Sequence, residues 1–120
     1  MRRLEVARAA QQDIATILHW SRTEFGAEAA NRYRELLAAA ITKLRNDPLP
    51  ANVRALNDLG VGLRSYHLRH AAPQTTEAGR VRRPRHFIIF RADAAVLQIV
   101  RVLHESMDLP RRLSDDEAPQ

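Results

Sequence analysis

Up to Asn46-Asp47-Pro48 the apolar residues of this chain recur every three or four positions, and beyond Gly62 they recur at every second position. Side chains three and four apart share a helix face, whereas those two apart share a strand face, so the chain must build both elements in that order. Ala10, Ile14, Ile17, Leu18 and Ser21 form a helical stripe that starts near Arg8 and runs to Phe25, where Gly26 breaks it. Ala29, Ala30, Tyr33, Leu37, Ala40, Ile41 and Leu44 repeat the period until Pro48, which cannot continue a helix. Two helices joined by a single glycine predict a helical hairpin. Ahead of it, Leu4 and Val6 alternate with polar residues as a short strand.

After Pro48 the signals change to Pro, Asn, Asp and Gly, which predict a loop to Gly62 with one helical turn over residues 55–59. Three strands follow, over residues 63–70, 86–91 and 96–103. Residues 92–95 make a connection short enough for an antiparallel hairpin, whereas residues 71–84 form a long one rich in Pro, Thr, Gly and Arg. The order β-α-α-β-β-β predicts a two-layer α+β domain: a helical hairpin packed on a small, mostly antiparallel sheet whose last two strands are central.

With 120 residues there is room for one core, so residues 1–113 are expected to form a single domain and 114–120 an acidic flexible tail. The absence of cysteine excludes disulfides, thiolate zinc sites and a cysteine nucleophile. No apolar run is long enough for a membrane span, and Met1-Arg2-Arg3-Leu4-Glu5 has no apolar stretch of a secretory signal. The expected location is the cytoplasm, away from membranes.

Charge is unevenly placed. Of the 19 basic residues all but Lys43 are arginine, and residues 64–91 hold Arg64, Arg69, Arg80, Arg82, Arg83, Arg85 and Arg91 against one acid, Glu77. Such a density attracts nucleic acid or an acidic protein surface. The alternative for the segment is a solvated loop, and for each single arginine an ion pair with a helix carboxylate such as Glu28 or Glu35. Strand alternation puts Arg64, Tyr66, Leu68 and His70 on one face and Leu63, Ser65, His67 and Arg69 on the other, with Arg91 and Arg101 as contributors from neighbouring strands. Trp20, off the main stripe of the first helix, is a candidate partner contact, and Met107 and Leu109 are expected to pack on the core.

No His-Glu-x-x-His motif and no glycine-rich phosphate loop is present, so neither a metal nor a cofactor is expected. A metal-free ribonuclease remains chemically open: Arg64 and Arg91 would stabilise a pentacoordinate phosphate while His104 moved a proton.

The string Val100-Arg101-Val102-Leu103-His104-Glu105-Ser106-Met107-Asp108 resembles the terminal signature of ParE toxins in the RelE/ParE superfamily. Gly62-Leu63-Arg64 is similar to that family's Gly-x-Arg, and His86-Phe87-Ile88-Ile89-Phe90-Arg91 to its aromatic-rich strand ending in Arg. Phe25-Gly26 followed by Ala29-Ala30 and Tyr33 matches its helical hairpin, so the resemblance spans roughly residues 4–113. It implies the toxin of a type II toxin–antitoxin pair, neutralised by a cognate ParD-like antitoxin. ParE proteins poison DNA gyrase by binding, while their RelE relatives cleave mRNA on the ribosome. The first mode would use Arg64, Arg91 and His104 for target contact, with Arg69, Arg82, Arg83 and Arg85 for attraction. The second would use Arg64, Arg91 and His104 as a metal-independent catalytic set. Trp20 and Arg69 are the expected antitoxin contacts.

Overall fold

A computed structural model describes residues 1–50, 52–71, 83–107, 109–111 and 113. Its elements are β1 (Arg3–Val6), α1 (Arg8–Phe25), α2 (Ala27–Asn46), β2 (Arg54–Ala55), β3 (Arg64–His67), β4 (His86–Ala92) and β5 (Val96–His104). Gly26, at φ +96°, takes the left-handed backbone that turns α1 into α2, and its N–H still bonds to Arg22 of α1. The expected α+β hairpin-on-sheet arrangement is the observed one. Most of the long connection between β3 and β4, with Arg80 and Arg82, and the tail at 114–120 lie outside the described residues.

The sheet runs β1-β5-β4-β3-β2, so β4 and β5 are central as expected. β1 pairs with β5 in parallel; every other pairing is antiparallel. The β4–β5 turn is closed by Asp93, whose carboxylate accepts the N–H groups of Ala95 and Val96 at 2.8 Å each. Helix side chains such as Ile17, Leu36, Ala40 and Leu44 pack on Tyr66, Ile88, Phe90 and Ile99 of the sheet. Each large side chain so buried contributes roughly 1.5–3 kcal/mol.

Three local expectations need correction. Ala55 lies in the two-residue strand β2, and the helical turn shrinks to the Leu56 carbonyl accepting from Leu59 and Gly60. The strand predicted over residues 63–70 stops at His67, because the His67 Nδ1 accepts the Arg69 N–H and folds Leu68–His70 into a 3₁₀ turn. Met107 is exposed rather than packed, while Leu109 and the fully buried Leu113 join Leu56, Leu63, Ile89 and Leu103 in a second apolar cluster. That cluster covers the sheet face turned away from the helices.

The register of β4 and β5 slips between Ile89 and Phe90, with Arg101 opposite the first, Ile99 opposite the second, and Val100 as the extra residue. β1 has by then ended, and among the described residues no strand continues along the outer edge of β5. Asp13 of α1 takes the strand's place: its Oδ2 accepts the Val102 N–H at 2.9 Å and Arg101 Nε at 2.6 Å, and its Oδ1 accepts Arg101 Nη2 at 2.9 Å. Arg101 is thereby committed to the fold, and its carboxylate partner is Asp13 rather than Glu28 or Glu35.

Candidate functional site

The ends of β3 and β5 and the start of β4 meet at one end of the sheet, where His67 stands opposite Phe87 and His86 opposite His104. On the face away from the helices, His67 is buried, with its ring edge-on to Phe87 at 4.9 Å. Because its Nδ1 accepts from the Arg69 backbone, its proton sits on Nε2 and is donated to Glu105 Oε2 at 2.8 Å. Arg85 Nη1 donates to the other oxygen, Oε1, at 3.1 Å. The His67 hydrogen bond, helped by Arg85, holds the Glu105 carboxyl below the usual glutamate range. An open cleft of about 300 Å³ lies here, lined by His67, Arg69, Arg83, Pro84, Arg85 and Glu105.

On the helix face of the same end, the Tyr33 hydroxyl accepts the Arg85 N–H at 3.2 Å and donates to His86 Nδ1 at 2.6 Å. Burial drives the Tyr33 pKa up to about 12. Burial, seconded by His104 and His67, pushes His86 down to about 4. The His86 and His104 rings meet edge to face at 5.2 Å, and His104 Nδ1 accepts from Ser106 Oγ at 2.7 Å. Two polar clusters thus flank the sheet's end, one joined to α2 and one open to solvent. Among the described residues no group of three or more His, Cys, Asp or Glu is placed to hold a metal.

A family model described as "ParE toxin of type II toxin-antitoxin system, parDE" matches residues 4–109. The chain belongs to the ParE toxin family. Among solved structures, the "Chromosomal ParDE TA system from P. aeruginosa" is similar at a TM-score of 0.64 and 18% identity, over 87% of this chain and 96% of that one. YafQ from E. coli strain BL21(DE3) is similar at a TM-score of 0.51 and 18% identity, over 88% of this chain and 96% of that one. The E. coli DinJ–YafQ complex matches with the same values. At these identities the structural likeness is one of fold. No curated protein matches the chain by sequence.

In this ParE-family chain the expected site residues divide between the two ends of the sheet. Arg69, Arg83, Arg85 and His104 lie at the end just described; Arg82 lies outside the described residues. Arg91 is five residues along β4 from His86, and Arg64 pairs with Phe90 beside it. At ~3.3 Å per residue, that separates Arg91 from the His86–His104 pair by ~17 Å. Arg91 Nε donates to the Val61 carbonyl at 3.0 Å and so pins the loop before β3. Arg64, Arg91 and His104 therefore do not converge on one phosphate. Trp20 is half exposed and edge-on to Phe25 at 5.3 Å near the hairpin turn, on a different layer from Arg69.

The unforeseen members of the site are Glu105 and the Tyr33–His86 pair. Gly60 also matters, for packing: a Cβ there would lie 2.5 Å from Leu63 Cδ1 and 3.1 Å from Arg91 Nη2. Gly60→Ala is expected to destabilise the protein by about 1–3 kcal/mol through overpacking against Leu63. Urea unfolding checks this, and an unchanged midpoint would mean the loop yields freely.

Proposed function

We propose that this ParE-family toxin acts by binding DNA gyrase, without chemistry of its own, and is held inactive by a cognate ParD-like antitoxin. The family match supports the toxin assignment, and the neighbouring ParDE and DinJ–YafQ systems support a paired antitoxin. The observation that carries the binding mode is the ~17 Å separation of Arg91 from His104, which denies the proposed catalytic set a common substrate atom. Arg69, Arg83 and Arg85, together with Arg82, then serve attraction to the target. Arg64 and Arg91 present a second basic contact at the opposite end. The antitoxin covers the exposed Trp20 and reaches Arg69, so its segment passes round the sheet's end. The net charge of +5 favours an acidic antitoxin.

A second reading, metal-independent cleavage of mRNA on the ribosome, draws support from His67, Arg85, His104 and Glu105 gathering at one end and from the YafQ-like fold. Induction in bacterial cells separates the two. Binding predicts growth arrest with full-length transcripts in primer extension, and arrest that is weakened but not abolished in His104→Ala, which removes one target contact among several. Transcripts cut before growth stops, together with an inert but folded His104→Ala, would replace the binding reading by the nuclease one.

A further inference from the structure

We propose that the cleft at the end of β3 and β4 seats a DNA phosphate between Arg69, Arg83 and Arg85, so that this toxin touches nucleic acid directly. The inference deepens the gyrase reading and rests on it for the identity of the nucleic acid, since the substrate of gyrase is DNA. Among the described residues, three guanidinium groups line the cleft against a single carboxylate, that of Glu105. Guanidinium forks match phosphate oxygens in pairs and stay charged at every physiological pH.

The backbone beneath these arginines is anchored. Arg83 and Arg85 flank Pro84, which is buried and has a fixed φ, and the Arg85 N–H is bonded to Tyr33. The Arg69 N–H is held by His67 on the 3₁₀ turn. Glu105 sits at the edge of the same cleft, gripped by His67 and Arg85. It neutralises part of the Arg85 charge and leaves the positive excess with Arg69 and Arg83.

Shape and charge favour a nucleic-acid strand over an acidic protein side chain. The cleft is open rather than enclosed, as a strand laid across it requires. In sequence, the excess of arginine over acid runs through residues 64–91, beyond the residues that line the cleft. A polyanion with charges at regular spacing meets such an extended field, whereas one carboxylate would meet Glu105 and gain little.

The test is a fluorescence-anisotropy titration of the full chain with a labelled DNA duplex of about 20 base pairs, at several salt concentrations. Binding should weaken with salt, the log–log slope falling by about 0.9 for each phosphate neutralised. Arg69→Ala with Arg83→Ala should lower affinity about tenfold and make that slope shallower by nearly two. Glu105→Gln keeps an acceptor for His67 but removes the negative charge, and should tighten binding several-fold. No binding by the wild type, or a slope unchanged in the double variant, overturns the proposal. Gyrase supercoiling measured on the same samples separates the two ideas. Cleft-dependent DNA binding without gyrase inhibition upholds the cleft and removes its gyrase setting. Lost inhibition with unchanged DNA affinity assigns the cleft to an acidic protein surface and overturns the proposal.

Discussion

Asp13→Ala should lower the stability of this protein by about 3–5 kcal/mol, because it leaves the Arg101 guanidinium and the Val102 N–H without the carboxylate that now satisfies both. The pair is well buried, with side-chain exposures of 13% and 15%, so water cannot readily replace the lost partner. For a domain of this size each kcal/mol moves the melting temperature by ~4 °C, so a fall of ~12–20 °C is expected in calorimetry. Asp13→Asn should lose less, since its amide oxygen can still accept from Val102. Asp13→Leu combined with Arg101→Met should recover part of the loss, because the guanidinium is removed together with its carboxylate, while the Val102 N–H still lacks the acceptor that Asp13 supplied. Equal melting temperatures for Asp13→Ala and the wild type would mean that the edge of β5 is satisfied in some other way.

Acid should destabilise the protein well above the pH at which its carboxylates protonate. In the folded state burial, with repulsion from His104 and His67 and only partial relief from Glu105 and Asp13, brings the His86 pKa down from 6.5 to about 4. The unfolded chain therefore binds a proton below pH 6.5 that the folded chain refuses until about pH 4, so stability falls as pH falls through that window. Roughly 2 kcal/mol of this loss should be present by pH 5 relative to pH 7. Below it, the depressed Asp93 and Glu105 carboxyls add their own losses as they protonate. Tyr33 acts at the other extreme, with stability falling as pH rises from 10 towards its folded value of about 12. His86→Asn offers Tyr33 an acceptor that does not titrate, and its urea midpoint should fall much less between pH 7 and pH 5 than the wild type's, the remainder coming from His70, whose pKa burial also lowers. A wild-type midpoint equally level over that range would contradict a buried neutral His86.

The helices and the two central strands are legible because their signal is local. Gly26, Pro48 and the spacing of apolar residues mark α1 and α2 without reference to anything distant, and the run from Val96 declares β5 by composition alone. The polar contacts are another matter. Asp13 and Arg101 are 88 residues apart, and neither carries a mark of its partner. The bulge at Val100 hides the site in a more specific way. Counting back from the turn without it puts His86 opposite Leu103; with it, His86 meets His104, and Leu103 turns to the far face beside Phe87. One inserted residue thus decides which histidines are neighbours, and no pattern of hydropathy reports it. Glu105 shares this difficulty, since it reaches His67 across two strands whose register depends on that bulge. Residue type alone links Arg64, Arg91 and His104, and it is blind to the length of β4 between them.

The most direct measurement is a supercoiling assay with purified DNA gyrase, to which the protein is added free of antitoxin and shown by circular dichroism to be folded. Relaxed plasmid that stays relaxed, or cleaved DNA that accumulates with dose, is the expected result. Inhibition should weaken when Arg69, Arg83 and Arg85 are replaced together. Gyrase that supercoils at full rate in the presence of the folded protein would contradict the proposed mode of action.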